Sequence, residues 1–224
     1  MDEIEYKLYI DNVIRRVETA RLQVSEHHIV KILAVSKYSK SEDIQKLYNI
    51  GQRAFGENKV QDLKLKAQEL EDLPLEWHFI GNLQKNKINN LLDIHPSLFQ
   101  ALDSLELAYE LQKKLVAKDM TLDCLIQINS AKEESKHGFM PEDAVAVYEQ
   151  ITKECPNIHL KGVMSIGAHS DDKATVKKSF EITHEIYQQL PNATICSMGM
   201  SGDFELAIEC GSNMVRLGSI MFNK

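Results

Sequence analysis

Met214-Val215-Arg216-Leu217-Gly218-Ser219-Ile220-Met221-Phe222 is the last of eight short apolar runs along the chain. Each run has the length and composition of a buried strand. The others are Val30 to Val35, Ala54-Phe55, Trp77 to Ile80, Leu98 to Leu102, Cys124 to Ile128, Leu160 to Ile166 and Thr194 to Met198. Helical patterns lie between them. Ser41 to Ile50 has Ser41 as its N-cap and Gly51 as its stop. Asn58 to Leu70, Asp103 to Ala117, Pro141 to Glu154, Lys173 to Leu190 and Ser201 to Cys210 follow the same logic, the last closed by Gly211. Regular alternation predicts parallel strands joined by crossover helices. Eight such units in 224 residues fit one closed (β/α)8 barrel of the TIM type, somewhat below its usual size. A doubly wound open sheet is the alternative, but no GxGxxG follows the first run, which counts against its dinucleotide-binding form.

Upstream of the first run, Ile4, Leu8, Ile10, Val13, Ile14, Val17, Ala20 and Leu22 recur at helical spacing, so an extra N-terminal helix is expected. Only Asn223 and Lys224 follow the last run, and residues 1–224 are expected to form a single domain.

Composition narrows the class. A hydrophobic content of 43% with 26% charged residues is that of a soluble globular chain. The net charge of −7 argues against nucleic acid or an anionic membrane as partner. No stretch approaches the roughly 20 apolar residues of a membrane span. The acidic start, Met1-Asp2-Glu3-Ile4-Glu5, is unlike a targeting segment. Cys124, Cys155, Cys196 and Cys210 are far apart and form no CxxC pair. They read as reduced thiols of a cytoplasmic protein, with no disulfide or metal.

In a barrel of this kind the functional groups stand at the C-terminal ends of the strands. The first strand ends Leu33-Ala34-Val35-Ser36-Lys37. A lysine there can reach into the mouth, where apolar surroundings lower its pKa and make its amine nucleophilic toward an aldehyde. It can equally be a solvated lysine that ends a strand. Strand 7 leads through Ser197-Met198-Gly199-Met200-Ser201-Gly202 into a helix, whose N-terminal N–H groups and Ser201 hydroxyl suit an anion. The bland alternative is that Ser201 caps its helix and the glycines shape a turn. Asp203 and Glu205 in the first turn compete with an anion for the helix dipole. On strand 8 a period of two points Arg216 and Gly218 to one face.

Closure joins these parts. Strand 8 pairs with strand 1 in a closed barrel, about 4.8 Å away. A phosphate held after strands 7 and 8 therefore sits beside Lys37. Pyridoxal 5'-phosphate (PLP) carries a phosphate at one end and an aldehyde at the other, and Arg216 lies between the two anchors.

These residues also fall within motifs of a known family. Ala34-Val35-Ser36-Lys37, Phe55-Gly56-Glu57-Asn58 and Trp77-His78-Phe79-Ile80-Gly81 resemble the pyridoxal phosphate homeostasis proteins (the YggS/PROSC family). So do Gly81-x-Leu83-Gln84-x-Asn86-Lys87, Glu134-Ser135-Lys136-x-Gly138, Ser197-Met198-Gly199-Met200-Ser201 and Val215-Arg216-Leu217-Gly218-Ser219. The match runs in order from about residue 30 to residue 222. The resemblance implies an alanine-racemase-like barrel without the racemases' C-terminal β-domain. It implies that Lys37 forms the internal aldimine with PLP, and that Ser201, Gly218 and Ser219 bind its phosphate. It further implies that Arg216 faces the pyridine nitrogen and that Asn58 lines the pocket. Asn223 stands where a glycine is usual, His137 replaces a small residue, and Asn82 occupies a variable position.

Other polar residues carry two readings each. His78 can line the pocket or be a hydrogen-bonded structural histidine. Lys85, Lys87 and Lys136 can form a basic rim or a solvated surface. Glu57 can be an acid or base, or stabilise a helix start.

The resemblance implies a PLP carrier acting in homeostasis of PLP and of amino and keto acids, with little or no turnover. Apo-forms of PLP-dependent enzymes are the expected recipients, and the monomer is the expected state. The alternative is an amino-acid racemase of the same fold. Racemisation needs acid–base groups on both faces of the substrate carbon. Lys37 serves one; in racemases a tyrosine from the partner subunit's second domain serves the other. An Arg216 guanidinium also keeps the pyridine nitrogen unprotonated, though racemases share that arginine. A cofactor-free isomerase or aldolase is the third reading, which the resemblance opposes.

Overall fold

Apolar strands that are buried on both faces can exist only inside two layers, and this chain supplies the outer layer with its own helices. A computed structural model describes residues 3–133 and 137–222. Strands β1 (Lys31–Val35), β2 (Ala54–Glu57), β3 (Glu76–Phe79), β4 (Leu98–Leu102), β5 (Leu122–Ile128), β6 (Ile158–Ser165), β7 (Ile195–Ser197) and β8 (Met214–Leu217) pair in sequence order. All neighbours are parallel. The ring closes where β8 joins β1, with Leu33 opposite Arg216 and Ala34 opposite Leu217. The expected (β/α)8 barrel is the observed one.

Around it run α2 (Ser41–Asn49), α3 (Val60–Glu69), α4 (Ile88–Leu92), α5 (Leu105–Ala117), α6 (Ala144–Glu154), α7 (Lys173–Gln189) and α8 (Phe204–Glu209). Their apolar stripes meet outward strand residues in the main core. Trp77 and Phe79 point that way, packing beside Phe55 and Phe99 with ring centroids 6.0 and 5.8 Å apart. The barrel interior is more polar, holding His78, Gln100, Ser197 and Arg216.

The extra N-terminal helix, α1 (Glu3–Val24), is present. Ile10, Val13, Val17 and Ala20 form its buried stripe at spacings of three and four. Each β-branched residue so buried contributes about 1.5–3 kcal/mol. The helix packs across α8 and the final helical turn, α9 (Ser219–Phe222). Arg16 lies over the Phe204 ring at 4.8 Å and its Nε donates to Glu205 at 2.7 Å. Tyr6 donates its hydroxyl to the Met221 carbonyl at 2.8 Å.

The boundaries differ from the apolar pattern in three instructive places. The eighth run is not one strand: pairing stops at Leu217, and Gly218 accepts from the Met221 and Phe222 amides as α9 turns. The helix expected from Ser201 begins at Phe204, because the Ser201 hydroxyl is engaged across the chain with α9 while Asp203 accepts from the Met200 amide at 2.6 Å. Lys40 rather than Ser41 is the N-cap of α2, and Ser41 opens the helix itself. The short α4, preceded by a 3-10 turn at Lys85–Lys87, had no periodic signal long enough to announce it.

Candidate ligand-binding site

The strands deliver their last residues to one mouth. A cleft of about 380 Å³ opens there, lined by residues after β1, β3, β7 and β8. Of the expected site residues, Lys37, Ser201, Arg216, Gly218 and Ser219 all line it. Closure through the β8–β1 pair brings them together, as the sequence argument requires.

Asn58 is the exception. It stands just beyond β2 and is not among the residues lining the cleft. Its backbone is pressed against Gly81, where an added Cβ would fall 2.1 Å from the Asn58 carbonyl oxygen. That packing sets the β2 rim beside the cleft rather than in its wall.

Lys37 lies past the strand end and is solvent-exposed, not sheathed in apolar side chains as anticipated. Its ammonium sits 5.1 Å above the Tyr38 ring. Behind it the support is rigid. Ser36 is buried, donates its hydroxyl to Glu57 Oε1 at 2.6 Å, and receives Lys66 Nζ on its carbonyl at 2.8 Å. Lys66 also bonds Glu57 Oε1 at 2.6 Å. Glu57 is therefore a buried ion-pair partner, and neither a mouth acid nor a helix-start charge.

At the opposite end of the cleft, Ser201 Oγ accepts from the Gly218 amide at 3.2 Å and the Ile220 amide at 3.5 Å. Two backbone donors thus converge on the Ser201 hydroxyl at the end of the cleft that Ser219 also lines. Such a set suits a phosphate. Between the ends, Arg216 is buried. Its Nη1 donates to the Ser197 carbonyl and hydroxyl at 2.8 and 2.9 Å, and its Nη2 to the Ser165 carbonyl at 2.8 Å. Burial pushes its pKa down to about 10, opposed by nearby Asp203. It remains a cation at neutral pH.

Donors at one end, an amine at the other and a fixed guanidinium between them fit the functional groups of PLP. The walls that sequence reasoning missed are Val35, Tyr38, Ser39, Ile80, Met200, Gly202 and Phe222. Tyr38 and Ser39 follow Lys37 directly, so the rule that sites lie in post-strand loops could have found them.

His78 does not reach this mouth. It is buried in the barrel, bonded to Glu76 at 2.8 Å and Gln100 at 2.9 Å, and it lines a second hollow of about 360 Å³ at the strands' N-terminal ends. The structural reading of this histidine is the observed one. Lys85 is ion-paired with Glu106, and neither it nor Lys87 lines the cleft. Lys136, with Glu134 and Ser135, lies outside the described residues, as does Asn223. The four cysteines are buried and separate, and burial pushes the Cys210 thiol up to about 11. Among the described residues no helix is long and apolar enough to cross a membrane, and no group of three His, Cys, Asp or Glu could hold a metal.

Fold and site define a class: a closed barrel with a lysine and a cluster of serine hydroxyls and backbone amides beyond adjoining strands of one mouth. The family model described as alanine racemase, N-terminal domain, matches residues 10–224. Within that class the chain belongs to the pyridoxal phosphate homeostasis protein family. It is 53% identical to the pyridoxal phosphate homeostasis protein of Helicobacter pylori strain J99 over 221 residues, covering 99% of this chain and 100% of that one. The human protein of the same name is 37% identical over 210 residues, covering 87% and 76%. PipY of Synechococcus elongatus, in a structure with PLP bound, superposes with a TM-score of 0.78 at 30% identity, covering 93% of this chain and 98% of PipY. An alanine racemase from Corynebacterium glutamicum shares the fold at a TM-score of 0.69 and 14% identity, and this chain covers 60% of it.

Proposed function

We propose that this protein binds PLP covalently through Lys37 and serves in PLP homeostasis, with little or no turnover of its own. The observation that carries this reading is the β8–β1 closure, which sets the Ser201 and Gly218 donors and Lys37 around one cleft. Family membership supports it, since relatives that match most of the chain carry the homeostasis name, and PipY, which shares the fold at 30% identity, was solved with PLP bound.

Each residue has a task. Gly218, Ser219 and Ser201 hold the phosphate, and Gly218 has no side chain to occupy the cradle. Arg216 would stand near the ring and, as a cation, would disfavour a proton on its nitrogen. Lys37 would hold PLP through its side-chain amine. PLP itself contributes an electrophilic carbonyl and an electron-accepting ring. Tyr38, Ile80 and Met200 flank the ring space, and Asn58 acts from the neighbouring rim. The partners we infer are apo-forms of PLP-dependent enzymes, the compartment the cytoplasm and the state a monomer.

The test is spectroscopic. Protein mixed with PLP and freed of excess ligand should absorb in the visible, and Lys37→Ala should lose that band while retaining its fold. A colourless protein would overturn the assignment. Racemisation of common amino acids at ordinary enzymatic rates would overturn the carrier reading.

A further inference from the structure

Beneath the cleft a chain of hydrogen bonds runs the length of the barrel interior. It starts at Arg216 Nη1, 2.9 Å from Ser197 Oγ. Ser197 Oγ is 2.8 Å from Gln100 Oε1, and Gln100 Nε2 is 2.9 Å from His78 Nδ1. His78 Nε2 is 2.8 Å from Glu76 Oε1, which Lys31 also approaches from the hollow at the far face. Four strands contribute, β3, β4, β7 and β8, and His78, Gln100, Ser197 and Arg216 are buried.

Only one arrangement of protons satisfies this chain. A guanidinium nitrogen can only donate, so Ser197 Oγ accepts from it and spends its own hydrogen on Gln100. The Gln100 oxygen therefore faces Ser197 and its amino group faces His78. His78 Nδ1 must then accept, which puts the ring proton on Nε2, aimed at the Glu76 carboxylate. Starting from Glu76, an acceptor only, gives the same order in reverse. Every bond points from the cation to the anion, an alignment in which each link polarises the next. A cationic His78 would reverse the Gln100 amide and leave the Ser197 hydroxyl without its acceptor. Burial, the largest influence on His78, lowers its pKa and favours the neutral ring this order requires, against the opposing pull of Glu76. The charged groups lining the hollow with His78 are Glu76 on β3, Lys31 on β1 and Asp123 on β5, the last paired with His159 and Lys161 on β6.

We infer that Gln100, together with Ser197, His78 and Glu76, positions Arg216 for the cofactor through this one-way chain. The inference rests on the reading of the cleft as a PLP site. Gln100 touches no ligand in that reading. It fixes which way the Ser197 hydroxyl points, and so where the guanidinium is held.

The experiment compares PLP dissociation constants and apo-protein melting for Gln100→Met, Gln100→Glu, Ser197→Ala and the Gln100→Met/Ser197→Ala pair. Losing one oriented hydrogen bond predicts a ~3–10-fold weaker affinity for Gln100→Met. Ser197→Ala should match it, and the pair should lose no more than either alone, because both cut the same chain. Gln100→Glu can still accept from Ser197, with His78 turned into a cation between two carboxylates, and should bind nearer wild type than Gln100→Met does. A mere packing role predicts the opposite order, since methionine fills the space and a buried carboxylate does not suit it. Gln100→Met and Ser197→Ala both within twofold of wild type, or losses that multiply in the pair, would overturn the inference. The ligand-free protein gives a second readout: His78 ring nitrogen shifts should report the Nε2–H tautomer, and Gln100→Met should perturb Nδ1. A wild type that shows no Lys37-dependent band would fail the cofactor reading instead, while the nitrogen shifts still decide the chain.

Discussion

The Lys66 ammonium and the Glu57 carboxylate form a buried ion pair 2.6 Å apart, directly behind the peptide that leads into Lys37. Lys66 shares its hydrogens with the Ser36 carbonyl, and Ser36 gives its hydroxyl to Glu57, so the end of β1 is held both by a lysine of the helix layer and by a carboxylate at the end of β2. The other Glu57 oxygen has no partner among the described residues.

Breaking this pair from one side strands a buried charge. Lys66→Met should cost about 3–5 kcal/mol of stability, whereas removing both charges in Glu57→Leu/Lys66→Met should recover much of that loss. Urea unfolding of the three proteins checks it; equal losses in single and double variants would contradict it.

Tyr6 ties α1 to α9, the turn that carries the Ser219 hydroxyl. Tyr6→Phe removes that bond and should cost about 1 kcal/mol. Burial, with Asp43 and Tyr9 nearby, raises the Tyr6 pKa from 10.0 to about 12. A raised folded pKa stabilises the protonated form, so this contribution is whole below pH 10 and lost as pH rises through 12. Tyr148 rises likewise, so the Tyr6 share is read as the difference between wild type and Tyr6→Phe across that alkaline limb.

Glu76 gives the acid counterpart. The His78 hydrogen bond, and then Lys31, hold its carboxyl at about 2 against an ordinary 4.5. A depressed folded pKa stabilises the ionised form, so the contribution is present above pH 4.5 and disappears as pH falls toward 2. Melting temperature against pH should fall less steeply through that window in Glu76→Gln than in wild type.

The barrel was legible because eight apolar runs and their intervening helices leave few other architectures, and closure then follows from the count. That Lys37, Ser201, Arg216 and Gly218 meet at one cleft was legible because strand ends and chain order place them, whereas Ser219 came from the family resemblance. Side-chain partnership was not. Nothing in the spacing of Ser36, Glu57 and Lys66 says that a helix lysine will reach over a strand end, and Gln100 looks like any polar residue in an apolar run. The helix expected from Ser201 starts later because the partners of the Ser201 hydroxyl, the Gly218 and Ile220 amides, lie across the chain. Asn58 stands outside the cleft lining, and the close packing of Gly81 on its carbonyl is a tertiary fact that spacing does not show.

A homeostasis role predicts delivery as well as binding. PLP-loaded protein should activate an apo-form of a PLP-dependent enzyme faster than PLP released into a trapping aldehyde-reactive amine would allow. Activation abolished by the trap would make the protein a store and not a donor.

The covalent claim is tested most directly by reducing the PLP-loaded protein with borohydride, digesting it and sequencing the labelled peptides by mass spectrometry. One phosphopyridoxyl group is expected, on Lys37, and none on Lys37→Ala. A label absent from wild type, or carried by another lysine while Lys37 stays free, would contradict it.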